Sequence, residues 1–286
     1  MEEYILSMKY NPLVPIEARD IKPEVFVGKK ISDISNIEIY EGSHVIRLKD
    51  LFDIEGPEEA PDNPNNIKII LMGEGTSKIR MLGFKMSAGE IEVNGDIGYL
   101  TGYKMKGGKI HIHGNARGWV GGKMKDGFIE IDGDAGDFVG GKFMGEKPGK
   151  GMKGGKILIH GNAGTNVGAG MKKGTIIIEG NVGNLVGAYM AGGTIIVYGS
   201  AGSFAGARMT SGKILLAGKV GGILPSFYVD ALLPKAKAKG IKFEKPFMLF
   251  IGDTLVNGMG LLHISYQENT EFLGKYERLI KEVIID

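Results

Sequence analysis

Between Met86 and Met209 the apolar and polar positions of the chain recur with a period of nineteen residues. Each copy opens on methionine, passes through glycine to an Ile-x-Ile/Val pair, and closes on glycine with two more glycines behind it. Copies begin at Met86, Met105, Met124, Met152, Met171, Met190 and Met209; five of the six steps are 19 residues, and the step from Met124 to Met152 carries nine extra. A divergent earlier copy ends in Ile69-Ile70-Leu71-Met72-Gly73, and the last runs out at Gly221. A unit this short cannot bury its own apolar face, so a fixed period implies supersecondary units stacked into a solenoid.

Within Gly108-Lys109-Ile110-His111-Ile112-His113-Gly114 the alternation has a period of two, the signature of a strand with one buried face. The same inward pair recurs as Ile91/Val93, Ile129/Ile131, Ile157/Ile159, Ile176/Ile178, Ile195/Val197 and Ile214/Leu216. Glycines at fixed offsets, such as Gly180, Gly183 and Gly187, mark corners, and a helix would not tolerate so many. The opening methionines make up half of the 14 in the chain and predict a core column of an adaptable side chain. The expected fold is all-β: a right-handed parallel β-helix, a solenoid of 19-residue coils, with an N-terminal cap and a C-terminal α/β extension. Its hand follows from the chirality of parallel crossovers. Roughly eight coils about 4.8 Å apart give a rod on the order of 35 to 40 Å long.

Three segments follow. Residues 1–66 hold an arm with Pro12, Pro15 and Pro23, two strands (Ile37 to Tyr40 and His44 to Leu48), and a linker from Pro57 to Asn66. Residues 67–221 are the repeat. In residues 222–286 the period vanishes, and Phe272, Leu273, Tyr276, Leu279, Ile280 and Val283 fall on one face of a terminal helix. Exposed ends of a solenoid need caps, which both flanks are expected to supply.

With 43% hydrophobic residues and a formal charge of +2, the chain reads as an ordinary globular one rather than a strongly cationic nucleic-acid binder. Lys235, Lys237, Lys239, Lys242 and Lys245 form a local basic cluster, read as a solvated loop. The absence of cysteine excludes disulfides, thiolate nucleophiles and cysteine-ligated iron–sulfur clusters in this chain, and is compatible with a cytoplasmic location. The start Met1-Glu2-Glu3-Tyr4 lacks the features of a signal peptide, and no apolar run approaches the ~18 residues of a membrane span.

Signals for chemistry are few. Gly136 to Lys142 fits the first seven positions of a phosphate-binding loop, but Phe143 stands where serine or threonine is required, so no nucleotide site is expected. The outward position before the first corner glycine reads Asn94, His113, Asp132, His160, Glu179 and Tyr198, which places His113, Asp132 and His160 on neighbouring rungs. Two imidazoles about a carboxylate are a candidate divalent-metal set, whereas a hydrogen-bonded surface ladder needs no metal; the ladder is expected, with no catalytic, cofactor-binding or metal residues in this chain. Two residues earlier the outward position reads Glu92, His111 and Glu130, then Leu158, Ile177, Ile196 and Leu215. Those four apolar residues form a stripe that either the C-terminal segment or another protein must cover. Arg117, beside the single tryptophan Trp119, stands where other copies carry Gly98 or Gly136 and is a second contact candidate. The nine-residue insertion Phe143 to Gly151 is a third; it keeps the register at Met152 and is expected to loop out without disturbing the stack.

The run Met-x-x-Gly-x-Ile-x-Ile-x-Gly-x-x-Gly-x-x-x-Gly, as in Met171 to Gly187, resembles the glutamate synthase C-terminal domain, a right-handed β-helix with this glycine spacing. Ile21-Lys22-Pro23-Glu24-Val25-Phe26, Ile67-Lys68-Ile69-Ile70 and Gly151-Met152-Lys153-Gly154-Gly155 are similar to the C-subunit family of formylmethanofuran dehydrogenases. The likeness covers about residues 1–225 and is weak beyond Ser226. It implies a non-catalytic scaffold in a hetero-oligomer with the A, B and D subunits, in a complex that reduces CO₂ to formate and condenses it with methanofuran, the first step of methanogenesis. Tungsto- or molybdopterin, iron–sulfur clusters and an amidohydrolase-like metal site would then sit on other subunits, with no cofactor on this one. A second reading is the β-helix subunit of a split glutamate synthase. A third is a free-standing carbohydrate-active β-helix enzyme, which needs clustered carboxylates in a groove with aromatic platforms; Glu92, Glu130, Asp132 and Glu179 are instead dispersed along columns.

Overall fold

The computed structural model describes residues 1–282. The chain is mostly strand with few helices, and a thirteen-stranded mixed sheet dominates it. Ten consecutive strands of that sheet are parallel: Glu2–Met8, Ile67–Met72, the seven repeat strands from Glu90–Asn94 to Ser211–Leu216, and Gly260–Ser265. Phe52–Glu55 closes one edge antiparallel, and Phe247–Gly252 with Tyr228–Leu233 closes the other. All three sequence segments therefore contribute strands to one sheet.

The register explains the repeat. Ile110 lies beside Ile91 and Ile129, and Ile176 beside Ile157 and Ile195, so β-branched side chains stack on the same buried face. All of these are almost completely buried, as is every methionine that opens a copy. A second column of parallel bridges runs Ile97, Ala116, Ala135, Ala163, Val182, Ala201, Val220, and closes the core from another side. Between the two columns a polar ladder secures the corner. Asp96 accepts from the Asn115 amide at 2.7 Å, Asn115 from Asp134 at 2.8 Å, Asp134 from Asn162 at 2.7 Å, and Asn162 from Asn181 at 2.9 Å. Each side chain thereby satisfies a backbone N–H one copy further on, where no strand partner is available.

The expected N-terminal strands are present as Glu38–Glu41 and His44–Arg47, in a small sheet with Ile16–Glu17 and Ile79–Arg80. The terminal helix Thr270–Glu282 buries Leu273 fully, and Phe272 and Tyr276 pack against the core. Tyr276 meets the Phe250 ring edge-on at 5.2 Å. Leu279 departs from the expected face and is exposed. Val283 and the Ile280 side chain lie outside the described residues. No described helix is long and apolar enough to cross a membrane.

Gly108 shows why the glycine offsets are fixed. Its φ is +79°, and a Cβ there would lie 2.8 Å from the Gly89 carbonyl oxygen and 3.0 Å from the Ala88 carbonyl carbon in the preceding copy. Both the left-handed backbone and the close approach of neighbouring copies exclude a side chain. Gly108→Ala is expected to destabilise the chain by about 1 kcal/mol or more, read as a fall in thermal midpoint; an unchanged midpoint would contradict this account of the packing.

Candidate docking site

Arg117 and Trp119 come together with the insertion. A cavity of about 450 Å³ opens between their copy and the N-terminal segment, and its walls include Lys78, Arg80, Tyr99, Arg117, Trp119 and Phe143. Trp119 stacks on Phe138 with centroids 4.7 Å apart and planes 2° from parallel. Phe143 leans on Trp119 at 6.0 Å and on Tyr103 at 5.5 Å, and Tyr103 stacks in turn on Phe84 at 6.1 Å. The insertion therefore does not loop out freely. Its register behaves as expected, since Met152 N–H reaches the Gly140 carbonyl at 2.7 Å across the gap, but Phe143 turns back and joins two aromatic columns.

Two polar atoms at this cavity lack partners among the described residues. The Trp119 Nε1 and Arg80 Nε atoms are buried without a hydrogen bond among the described residues. Arg80 Nη2 pairs with Glu17 at 3.1 Å, whereas among the described residues Arg117 holds only a ring contact, 5.7 Å from the Tyr99 centroid. No carboxylate lines the walls. Aromatic surface and excess positive charge suit a protein contact bearing a carboxylate. Lys142, from the loop-like motif, serves packing: its stem lies over Gly170 and its ammonium sits 4.9 Å from the Tyr189 ring centre.

The histidines form a ladder with a different grouping from the expected one. Asp132 takes His111 Nε2 on one oxygen and His113 Nδ1 on the other, both at 2.9 Å. His113 Nε2 meets Glu92 at 2.9 Å, and Glu92 meets Lys68 at 2.8 Å. His160 instead bonds Glu179 at 2.9 Å and Glu130 at 3.4 Å. The trio within reach of one ion is thus His111, His113 and Asp132, without His160. Long side chains bridge the two outward columns diagonally, and both oxygens of Asp132 are occupied before His160 is reached. The Asp132 bond raises the His113 pKa against opposing desolvation, with Glu92 adding to it; Glu179 does the same for His160. The His111 bond lowers Asp132, and the Lys68 bond lowers Glu92. Each ring nitrogen of His113 thus faces a carboxylate oxygen.

The apolar stripe is covered by the chain itself. The hairpin Ala236–Ala238/Ile241–Phe243, together with Phe247, packs over Ile177, Ile196 and Leu215, and Leu158 is half-buried at the edge. One lysine of the expected solvated cluster is instead tied into this lid, Lys245, which donates to the Ala217 carbonyl at 2.7 Å; Lys237 stays exposed, and only its backbone carbonyl accepts from Lys213 at 3.0 Å. His263 continues the stripe beside Leu215 and is 3% exposed; burial, with Lys213 nearby, pushes its pKa down to about 4.

Residues 65–227, more than half of the chain, match the family model described as the GXGXG motif. The chain belongs to the GXGXG-motif family. The matched residues bracket the repeat, so the family's glycine pattern and the stacked copies are the same feature. Among relatives, the C subunit of the tungsten-containing formylmethanofuran dehydrogenase 2 of Methanothermobacter wolfeii is 45% identical over 97 residues, covering 34% of this chain and 35% of the relative. The C subunit of the molybdenum-containing formylmethanofuran dehydrogenase 1 of Methanothermobacter thermautotrophicus is 38% identical over 95 residues, covering 33% of this chain and 22% of the relative. The matched stretches thus span about a third or less of the relatives' length. A chain in the crystal structure of the formyltransferase/hydrolase complex (FhcABCD) from Methylorubrum extorquens with methylofuran shares the fold, with a TM-score of 0.78 at 24% identity over 91% of this chain and 99% of that one.

The buried and exposed histidines impose opposite pH limbs on stability. His263 is held neutral, so its contribution is present above the unfolded pKa of 6.5 and is lost as pH falls toward 4. His113 and His160 act in the opposite sense: their stabilisation is present below 6.5 and is lost as pH rises through their raised folded values. Both are more than a third exposed, so solvent screening keeps this alkaline limb shallow. Thermal midpoints should peak near neutrality, and His263→Met should flatten the acid limb only. For the lid, Ile196→Glu would bury an unpaired carboxylate, at a cost of several kcal/mol; amide exchange in 228–247 should rise well before exchange in the repeat strands, and protection unchanged in both would refute the lid.

Proposed function

We propose that this chain is the C-type subunit of a formylmethanofuran dehydrogenase complex, a non-catalytic scaffold that docks the subunits carrying the chemistry of CO₂ reduction to formate and its attachment to methanofuran. The observation that carries this reading is the 45% identity over 97 residues to the C subunit of such a complex. The shared fold with a chain of a multi-subunit complex, and an aromatic cavity whose Arg117 guanidinium has no carboxylate partner among the described residues, support it. We read the parallel stack as a right-handed β-helix, since parallel crossovers overwhelmingly take that hand. On this reading 1–66 caps the stack, 67–221 is the stack, and 222–286 is the extension that closes and covers it.

The donor set fits a supporting role. The chain has no cysteine, so it offers no thiolate for iron–sulfur clusters or for tungsten or molybdenum. Both ring nitrogens of His113 and of His160 are engaged by carboxylates. Pterin, clusters and the amidohydrolase metal therefore belong on partners of the A, B and D type, and the complex would work in the cytoplasm.

Affinity purification of the tagged chain from its native cells tests this. A pterin-bearing chain and a metal-dependent amidohydrolase should co-purify in fixed ratio. Recovery should drop at least tenfold with Arg117→Glu and Trp119→Ala together, while the melting transition persists. Co-purification of glutamate synthase chains, or recovery of the tagged protein without partners, would overturn the assignment.

A further inference from the structure

The face carrying the histidine ladder pairs its charges, acid against base, from copy to copy. Another edge of the same stack does the opposite. The triplets Lys104-Met105-Lys106 and Lys123-Met124-Lys125 place a fully buried methionine between two lysines, so both lysines are driven to the outside. Lys125 N–H bonds the Met105 carbonyl at 2.7 Å and Lys172 N–H the Met152 carbonyl at 2.8 Å, which holds the flanking lysines in register. Lys85, Lys104, Lys106, Lys123, Lys125 and Lys153 line one groove of about 280 Å³. Lys153 continues into a second groove of about 270 Å³ with Lys150, Lys172 and Lys173. Copies about 4.8 Å apart bring like charges together, which is unfavourable unless an anion is present.

Of these nine lysines, only Lys123 makes an ion pair among the described residues, and its partner is Glu146 of the insertion. The other Glu146 oxygen accepts from the Phe143 N–H at 2.9 Å. The chain thus already places one carboxylate of its own at the groove wall. Three of the ammonium groups are also positioned in advance: Lys85 lies 5.0 Å from the Phe84 ring centre, Lys104 5.2 Å from Tyr103, and Lys123 5.1 Å from Phe143.

We propose that this groove binds an acidic segment of a partner protein, an extended run rich in glutamate or aspartate, for which Glu146 is the internal stand-in. Three observations favour carboxylates. The charged side chains lining the grooves are all lysines, so there is no guanidinium fork of the kind that grips phosphate. The nearby rings are stacked on one another and capped by ammonium groups, so they offer no free platform for bases. Point charges on flexible stems, repeated along the stack, suit carboxylates spaced along an extended peptide. The chemistry of the groove is independent of which complex the chain joins.

Fluorescence anisotropy of the full chain tests it, with a labelled dodecapeptide alternating glutamate and serine as the probe. The peptide should bind in a salt-dependent manner. Lys104→Gln with Lys125→Gln should weaken it at least tenfold, while Lys235→Gln with Lys239→Gln should not. Glu146→Gln frees Lys123 and should tighten binding severalfold, a change that a purely structural Glu146 would not produce. Circular dichroism verifies that each variant folds. No binding of the peptide, equal binding of oligothymidylate or inorganic triphosphate, or no gain with Glu146→Gln would each overturn the proposal.

Discussion

Every feature of this chain depends on the backbone hydrogen bond that each nineteen-residue copy makes to the same position of the copy before it. Gly114, Gly133, Gly161, Gly180 and Gly199 show it in its barest form, each N–H reaching the carbonyl of the preceding glycine in the column at 3.0 to 3.2 Å. Such a bond forms only if adjacent copies come close at that point, so side chains are excluded there and residues elsewhere are locked in register. The Ile pairs, the buried methionines and the Asp96-to-Asn181 ladder are consequences: once one position is aligned, all nineteen are. The nine-residue insertion obeys the same constraint: Met152 N–H closes its turn on Gly140 as Met124 N–H does on Gly121, and Lys153 N–H bonds the Met124 carbonyl of the preceding copy at 2.6 Å, so alignment is restored as the next strand begins.

What the constraint leaves free is the outside. Identical outward positions carry acids and imidazoles in the early copies and aliphatic side chains in the later ones. The first set neutralises itself across two columns. The second set cannot be satisfied within the repeat, and the hairpin at 236–243 supplies its cover. A third outward set, the lysines flanking Met105 and Met124, has a single internal carboxylate, Glu146, and no cover among the described residues. One scaffold thus presents three chemically distinct faces without disturbing its core.

The core is legible in the sequence because its signal is redundant: seven aligned copies of Met, Gly and Ile-x-Ile repeat one instruction. The outward stripe at Leu158, Ile177, Ile196 and Leu215 is equally legible as a pattern, but its cover is not, since the hairpin that meets it has no period and is placed only by tertiary contact. Column position groups His160 with Asp132 because it ignores the reach of a side chain; Glu92 and Glu130 bridge diagonally to the neighbouring column, so adjacency alone misassigns the trio. The Asp/Asn ladder and the Lys-Met-Lys triplets carry a clear signal at period nineteen. A net charge of +2 conceals the second, because it sums a paired face and an unpaired one.

The insertion joins these separate faces. Phe143 fills the place in an aromatic column where the third copy offers only Gly122 after Phe84 and Tyr103, and the same ring forms part of the cavity wall beside Arg117 and Trp119. Three residues on, Glu146 occupies one lysine of the groove. A ligand that displaced Glu146 would remove the hydrogen bond that fixes the Phe143 amide, and so loosen a wall of the cavity. Occupancy of the lysine groove and the shape of the aromatic cavity are therefore coupled through one short segment, which gives a break in a regular repeat a physical reason to sit where it does.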